Sequence, residues 1–110
     1  MRIREYWKHW KAGNMELFIF ARFHAREGQE AAVAEALREV SGPTQAEQGC
    51  LFQKAYRSTR DDRLFYVHSR WKDEAAFDLH AKLPHTVRFI EKVRALIDHP
   101  LDVNRAHPLD

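Results

Sequence analysis

Apolar residues fill both parities of Glu16 to Ala25 (ELFIFARFHA), the pattern of a central strand covered on both faces. Arg26-Glu27-Gly28 supplies a turn. From Gln29 to about Ser41, Val33, Ala34, Leu37 and Val40 recur at helical spacing and predict an amphipathic helix. Gly42-Pro43 weakens that helix, Thr44 to Glu47 can add a turn, and Gly49 is a stop signal. Cys50 to Ser58 and Arg63 to Trp71 read as strands joined by the polar hairpin turn Thr59-Arg60-Asp61-Asp62. Two helical segments follow, Asp73 to Lys82 capped by Asp73, and Pro84 to Asp98 with Pro84 in its first turn. Val87, Ile90, Val93, Leu96 and Ile97 form the apolar stripe of the second. Leu101 to Ala106 has weak strand character suited to an edge.

The order strand, helix, strand, strand, helix, strand predicts an α+β fold of the ferredoxin-like βαββαβ type, an antiparallel sheet with helices on one face. Alternation leaves neither face polar: Phe18 and Phe20 oppose Ile19 and Phe23, and Phe65 and Val67 oppose Tyr66. The face without helices needs a cover, and a second copy of the same sheet is the simplest one, so a homodimer is expected.

Composition adds limits. With 110 residues, 45% hydrophobic and 31% charged, the chain is expected to form one globular domain, residues 15–110. Residues 1–14 read as an N-terminal extension. They hold Arg2, Arg4, Lys8 and Lys11 against Glu5, so at a net charge of +2 the body is near neutral, with no basic face for nucleic acid. The pI of about 8.9 comes from this tail. Its Tyr6, Trp7 and Trp10 stand at helical spacing, fit for an anionic surface, a partner groove or packing on the domain itself, unless Met15 is the true start. No run nears the ~18 apolar residues of a membrane span, and no h-region marks a secretory signal. The single Cys50 cannot form an internal disulfide and points to a reducing cytoplasm.

Chemistry concentrates in Phe65 to His85 (FYVHSRWKDEAAFDLHAKLPH), where an aromatic strand end, two histidines and an apolar helix face converge as a pocket wall. No phosphate loop, GxSxG, HExxH or CxxC occurs. His80 and His85 are separated by about 140° on an unbroken helix, off the shared face of an i, i+4 metal pair. With no acidic or thiol partner nearby in sequence, no metal site is expected. Either histidine can hold a substrate oxygen or accept a proton; either can also simply cap a helix. Trp71 is either a core filler or a stacking surface for a flat ligand. Ser69 shares its face, Phe65 and Phe77 offer apolar wall, and Arg22 reaches the pocket mouth or pairs with Glu16.

Glu47-Gln48-Gly49-Cys50-Leu51, Tyr56-Arg57-Ser58, Phe65-Tyr66-Val67 and the run W-x-D-x-x-A-F-x-x-H-x-x-x-x-H from Trp71 to His85 resemble the antibiotic biosynthesis monooxygenase domain, in its quinol-monooxygenase-like branch, over about residues 15–106. The resemblance implies a dimeric α+β barrel with a pocket in each subunit. It also implies oxygenation of a small phenol or quinol with dioxygen as co-substrate and no metal, haem or flavin. Such chemistry needs a dry aromatic pocket, a proton acceptor and a hydrogen bond to the developing oxyanion. Trp71, His80 and His85 match the motif and are the candidates for those roles. Ser69 stands where these sequences often carry glutamate, and Ala21 and Arg22 stand where haem-degrading relatives use asparagine. A non-oxygenating binding or stress-response module and an isomerase of a small oxygenated metabolite are the alternatives on the same fold.

Overall fold

A computed structural model describes residues 15–110; the expected extension, residues 1–14, lies outside the described residues. The elements are β1 (Leu17–His24), α1 (Glu30–Gln45), β2 (Cys50–Arg57), β3 (Leu64–Trp71), α2 (Glu74–His80), α3 (Pro84–Arg94) and β4 (Asp102–Ala106). The strands form one sheet in the order β2-β3-β1-β4. Its pairings are antiparallel, Leu17 facing Trp71 and His24 facing Leu64 across β1–β3. This is the ferredoxin-like arrangement the element order predicts.

Period-two alternation assigns the faces. Leu17, Ile19, Ala21 and Phe23 of β1, with Phe65, Ser69 and Trp71 of β3, are buried beneath the helices. The core there has two parts. Phe23, Val33, Leu37, Phe65, Val93 and Ile97 belong to the larger, and Leu17, Ile19 and Trp71 form the smaller, with Ala76 and Phe77 packed on it. The opposite face is open in a single chain: Phe20 is 51% exposed and Phe52 and Tyr66 are 38% exposed. Phe20 stacks on His68 at 4.6 Å and Phe52 leans on the same ring. β1 is therefore covered on one face only within the chain.

The local signals hold at several points. Asp73 caps α2, accepting from the Ala76 N–H at 2.8 Å, and Pro84 opens α3. Ser58 Oγ accepts from the N–H groups of Arg60 and Asp61 in the hairpin turn. Elsewhere the chain departs from expectation. Helix α1 runs through Gly42-Pro43 to Gln45. Pro43, in its last turn, lacks the N–H that would bond the Glu39 carbonyl, and packing on α3 and β2 holds the helix together across that lost bond. The second and third helices stop earlier than predicted, at His80 and Arg94. Beyond α3 the backbone turns to serve β1: Arg26 N–H donates to Leu96 O, Asp98 N–H to His24 O, and Ile97 bridges Ala25. Val87 is 40% exposed and falls off the apolar stripe.

Gly49 is not the helix stop, which is Ala46 in right-handed geometry. A Cβ at Gly49 would lie 2.5 Å from Ala76 Cβ, so glycine is required where β2 meets α2. Glu16 pairs with Arg70 at 2.6 Å rather than with Arg22. At the far end of β1, His24 offers Nδ1 to Asp98 at 2.7 Å and Nε2 to Asp61 at 3.1 Å, clamping the hairpin and the chain after α3 to the strand. The Asp98 bond raises the His24 pKa above its ordinary value, against a smaller opposing effect of burial, and the same bond holds Asp98 down at about 2.

Candidate functional site

Between the two parts of the core lies a cavity of about 230 Å³. Its floor is the sheet: Ile19, Ala21 and Phe23 of β1, Val67, Ser69 and Trp71 of β3, Gln53 of β2 and Val103 of β4. Its roof comes from Leu37, Val40 and Thr44 of α1, Phe77 and His80 of α2, and Thr86, Phe89 and Ile90 of α3. The lining is mainly apolar, and the volume suits a small ligand, below the ~300 Å³ lower bound of common ligand pockets.

His80 closes α2 and points its ring over Trp71, with centroids 4.6 Å apart. Its side chain is 13% exposed. Nδ1 lies 2.7 Å from Glu47 Oε2 and 3.2 Å from Thr86 Oγ1. The same carboxylate oxygen takes His85 Nε2 at 2.6 Å. One acceptor serving two imidazoles requires His80 to carry its proton on Nδ1 and His85 on Nε2 when both rings are neutral. That leaves His80 Nε2 as a lone-pair nitrogen. Burial is the largest influence on His80 and pulls its pKa below the ordinary 6.5; Glu47 acts the other way, and His85 adds a smaller downward push. Burial therefore favours the neutral ring of His80, beside a carboxylate that would stabilise it once protonated.

Trp71 is 1% exposed and donates its indole N–H to Ser69 Oγ at 2.9 Å. Phe77 meets its ring edge-on at 5.5 Å, and the Arg105 guanidinium, held by Glu74 and Asp78, covers Phe77 at 5.0 Å. Trp71 thus fills core and lines the cavity at once. Ser69 orients that indole.

Of the residues singled out from sequence, the structure brings Trp71, Ser69, Phe77 and His80 to the cavity. His85 joins them through Glu47, while its ring lines a separate outer groove with Arg88 and Lys92. Phe65 does not reach the cavity: it is buried in the larger core cluster, with the Arg57 guanidinium 4.8 Å above its ring. Arg22 is on the wrong face. Strand alternation turns it to the open side, in a recess with His24 and His99.

Sequence reasoning found no acidic partner for the histidines, and Glu47 is that partner. It lies 33 residues before His80, beyond any within-element spacing rule. Thr44, Gln53 and Thr86 were missed as well; all three are at most 6% exposed and line the cavity. Among the described residues, two groups have donor atoms close enough for a metal ion: Glu47 with His80 and His85, and His24 with Asp98 and His99. In both, a carboxylate oxygen is already engaged by the two imidazoles.

Residues 17–92, from β1 into α3, match the family model described as antibiotic biosynthesis monooxygenase. The chain belongs to this family. It is 30% identical to "Putative monooxygenase Rv0793" of Mycobacterium tuberculosis over 92 residues, covering 84% of this chain and 90% of the relative. It is 32% identical to "Putative monooxygenase YcnE" of Bacillus subtilis over 79 residues, 72% of this chain and 82% of the relative. The solved structure of Rv0793 superposes with a TM-score of 0.82 at 28% identity, over 86% of this chain and 96% of that one. PA3566 from Pseudomonas aeruginosa gives 0.82 at 28% identity, over 89% and 98%. The matched stretch of this antibiotic biosynthesis monooxygenase domain contains the Glu47, Ser69, Trp71, His80 and His85 constellation. No helix among the described residues is long and apolar enough to cross a membrane.

Proposed function

We propose that this chain is a cofactor-independent monooxygenase that oxidises a small phenol or quinol, with dioxygen as co-substrate, in the cavity between sheet and helices. The observation that carries the reading is the His80 imidazole on the wall of a mainly apolar, aromatic-lined cavity, with its Nδ1 anchored on the largely buried Glu47 carboxylate. Nε2 of His80 takes the phenolic proton, and Glu47 stabilises the imidazolium that forms. His85 completes the anchoring by holding Glu47 from the other side. Trp71 and Phe77, packed edge to face, give the aromatic wall beside His80, and Ser69 fixes the indole. The phenolate passes an electron to dioxygen, and recombination of the two radicals forms the carbon–oxygen bond. Loss of water then leaves, for a quinol, one hydroxyquinone and one water per dioxygen. The Glu47–His80 pair supplies the base that Ser69 lacks.

The working particle is a homodimer, supported by the aromatic face that the single chain leaves open. A cytoplasmic location rests on the lone free thiol of Cys50.

Oxygen uptake by metal-stripped protein, against a panel of hydroquinones and naphthols, tests the reading. Turnover above autoxidation is expected, with a loss of about 10²–10⁴-fold in His80→Gln. A flat trace across the panel, or full activity in a folded His80→Gln variant, defeats it and favours a binding module.

A further inference from the structure

The cavity has polar groups that proton transfer at His80 does not use. Thr44, on α1, is 3% exposed, and its Oγ1 is buried without a hydrogen-bond partner. Buried hydroxyls are ordinarily satisfied, so each exception calls for a reason. The usual solution for a helical hydroxyl is the carbonyl four residues back. Ser41, three residues earlier on the same helix, takes that solution by donating to Leu37 O at 3.1 Å. Thr44 does not, and its side chain lines the cavity instead.

Gln53 stands beside it in the lining and is 6% exposed. Gln45 Nε2 donates to the Gln53 backbone carbonyl at 3.1 Å and reaches its side-chain Oε1 at 3.5 Å. That contact leaves the amide NH₂ as the end available to donate. Gln53 also faces Ser69 across the β2–β3 ladder. The backbone carbonyl of Thr44 accepts from the Glu47 N–H at 3.1 Å, so the hydroxyl belongs to the same segment that anchors His80. Thr44 and Gln53 thus stand on the α1–β2 side of the lining, while Ala21, Phe23, Phe89, Ile90 and Val103 close the cavity with apolar surface.

We infer that Thr44, with Gln53 beside it, is a specificity determinant that binds a second oxygen of the substrate, so that the cavity selects an aromatic diol over a simple phenol. One oxygen meets His80, and the other satisfies the buried Thr44 hydroxyl. A site with a buried polar group discriminates against the analogue that leaves it unpaired. The inference rests on the monooxygenase reading for the choice of aromatic ligand, but its test involves no oxygen chemistry.

Isothermal titration under argon, with a naphthol and its corresponding naphthalenediols, compares ligands that differ by one oxygen. At least one diol is expected to bind the wild-type protein about tenfold tighter than the naphthol, the worth of one well-made hydrogen bond. Thr44→Val removes the hydroxyl at constant shape and should erase the preference without weakening the naphthol. Thr44→Ser should keep it. Thr44→Ala serves as the second hydroxyl-free variant if valine disturbs folding. Equal affinities in the wild type, a preference that survives Thr44→Val and Thr44→Ala, or no binding by any of these ligands overturns the inference. A hydroxyl-dependent preference without oxygen uptake would sink the monooxygenase and leave the diol site standing; uptake without the preference would do the reverse.

Discussion

Glu47 carries two imidazoles on a single oxygen, and its hydrogen bond and its charge both raise the pKa of His80 against burial. Glu47→Gln keeps the size of the side chain and removes that charge. His80 already titrates below 6.5, so activity needing the neutral ring falls as pH drops through its pKa. Without Glu47 that pKa moves further down, and the acid limb of the kcat/KM profile should shift to lower pH while the plateau falls, since the imidazolium loses its counter-charge. Imidazole NMR titration reads the same shift without turnover, and an unmoved His80 would contradict the anchoring role. His80 and Trp71 were legible in the sequence because they stand nine residues apart on adjoining elements. Glu47 was not, because its proximity arises only when β2 pairs with β3 and carries the end of the α1 segment over α2. Phe65 and Arg22 each lie on a strand that reaches the cavity, yet position along the strand or the face places them outside its lining.

Among the elements, α2 is the one whose placement matters most and whose own resources are fewest. It spans seven residues and buries none of them fully, so its position depends on the Asp73 cap and on close contact with its neighbours. Gly49 provides that contact. Gly49→Ala would push a methyl group to 2.5 Å from Ala76 Cβ and displace the helix that carries His80. A destabilisation of about 1–3 kcal/mol is expected from such overpacking, with a lower Tm in thermal denaturation. Adding Ala76→Gly should recover most of the loss; a single variant within about 0.5 kcal/mol of wild type would show the helix free to move. The element order and the caps were readable because they depend on neighbours in sequence. The persistence of α1 past Pro43 and the true role of Gly49 were not, since tertiary packing decides both.

For the whole molecule, the open sheet face is the largest departure from a self-contained domain. Phe20 is its most exposed large apolar residue, stacked on His68 beside Phe52. Phe20→Asp should convert a light-scattering dimer to monomer at micromolar concentration, because a charge buried in an apolar interface costs far more than it returns. A wild-type protein that is already monomeric, or a variant that stays dimeric, would remove this face from the assembly. The need for a cover was legible in the two apolar parities of β1; its nature was not, since one chain cannot show its partner. The strand order has a last consequence. β1 lies inside the sheet with β4 as its outer neighbour at the edge, and Asn104 reaches back to Phe20 O across 84 residues. Val103 of that late strand is part of the cavity wall. During synthesis, β1 must wait on the ribosome with one edge unpaired until the codons for β4 have been read, so a truncated chain would lack one wall of the pocket and leave a sticky central strand bare.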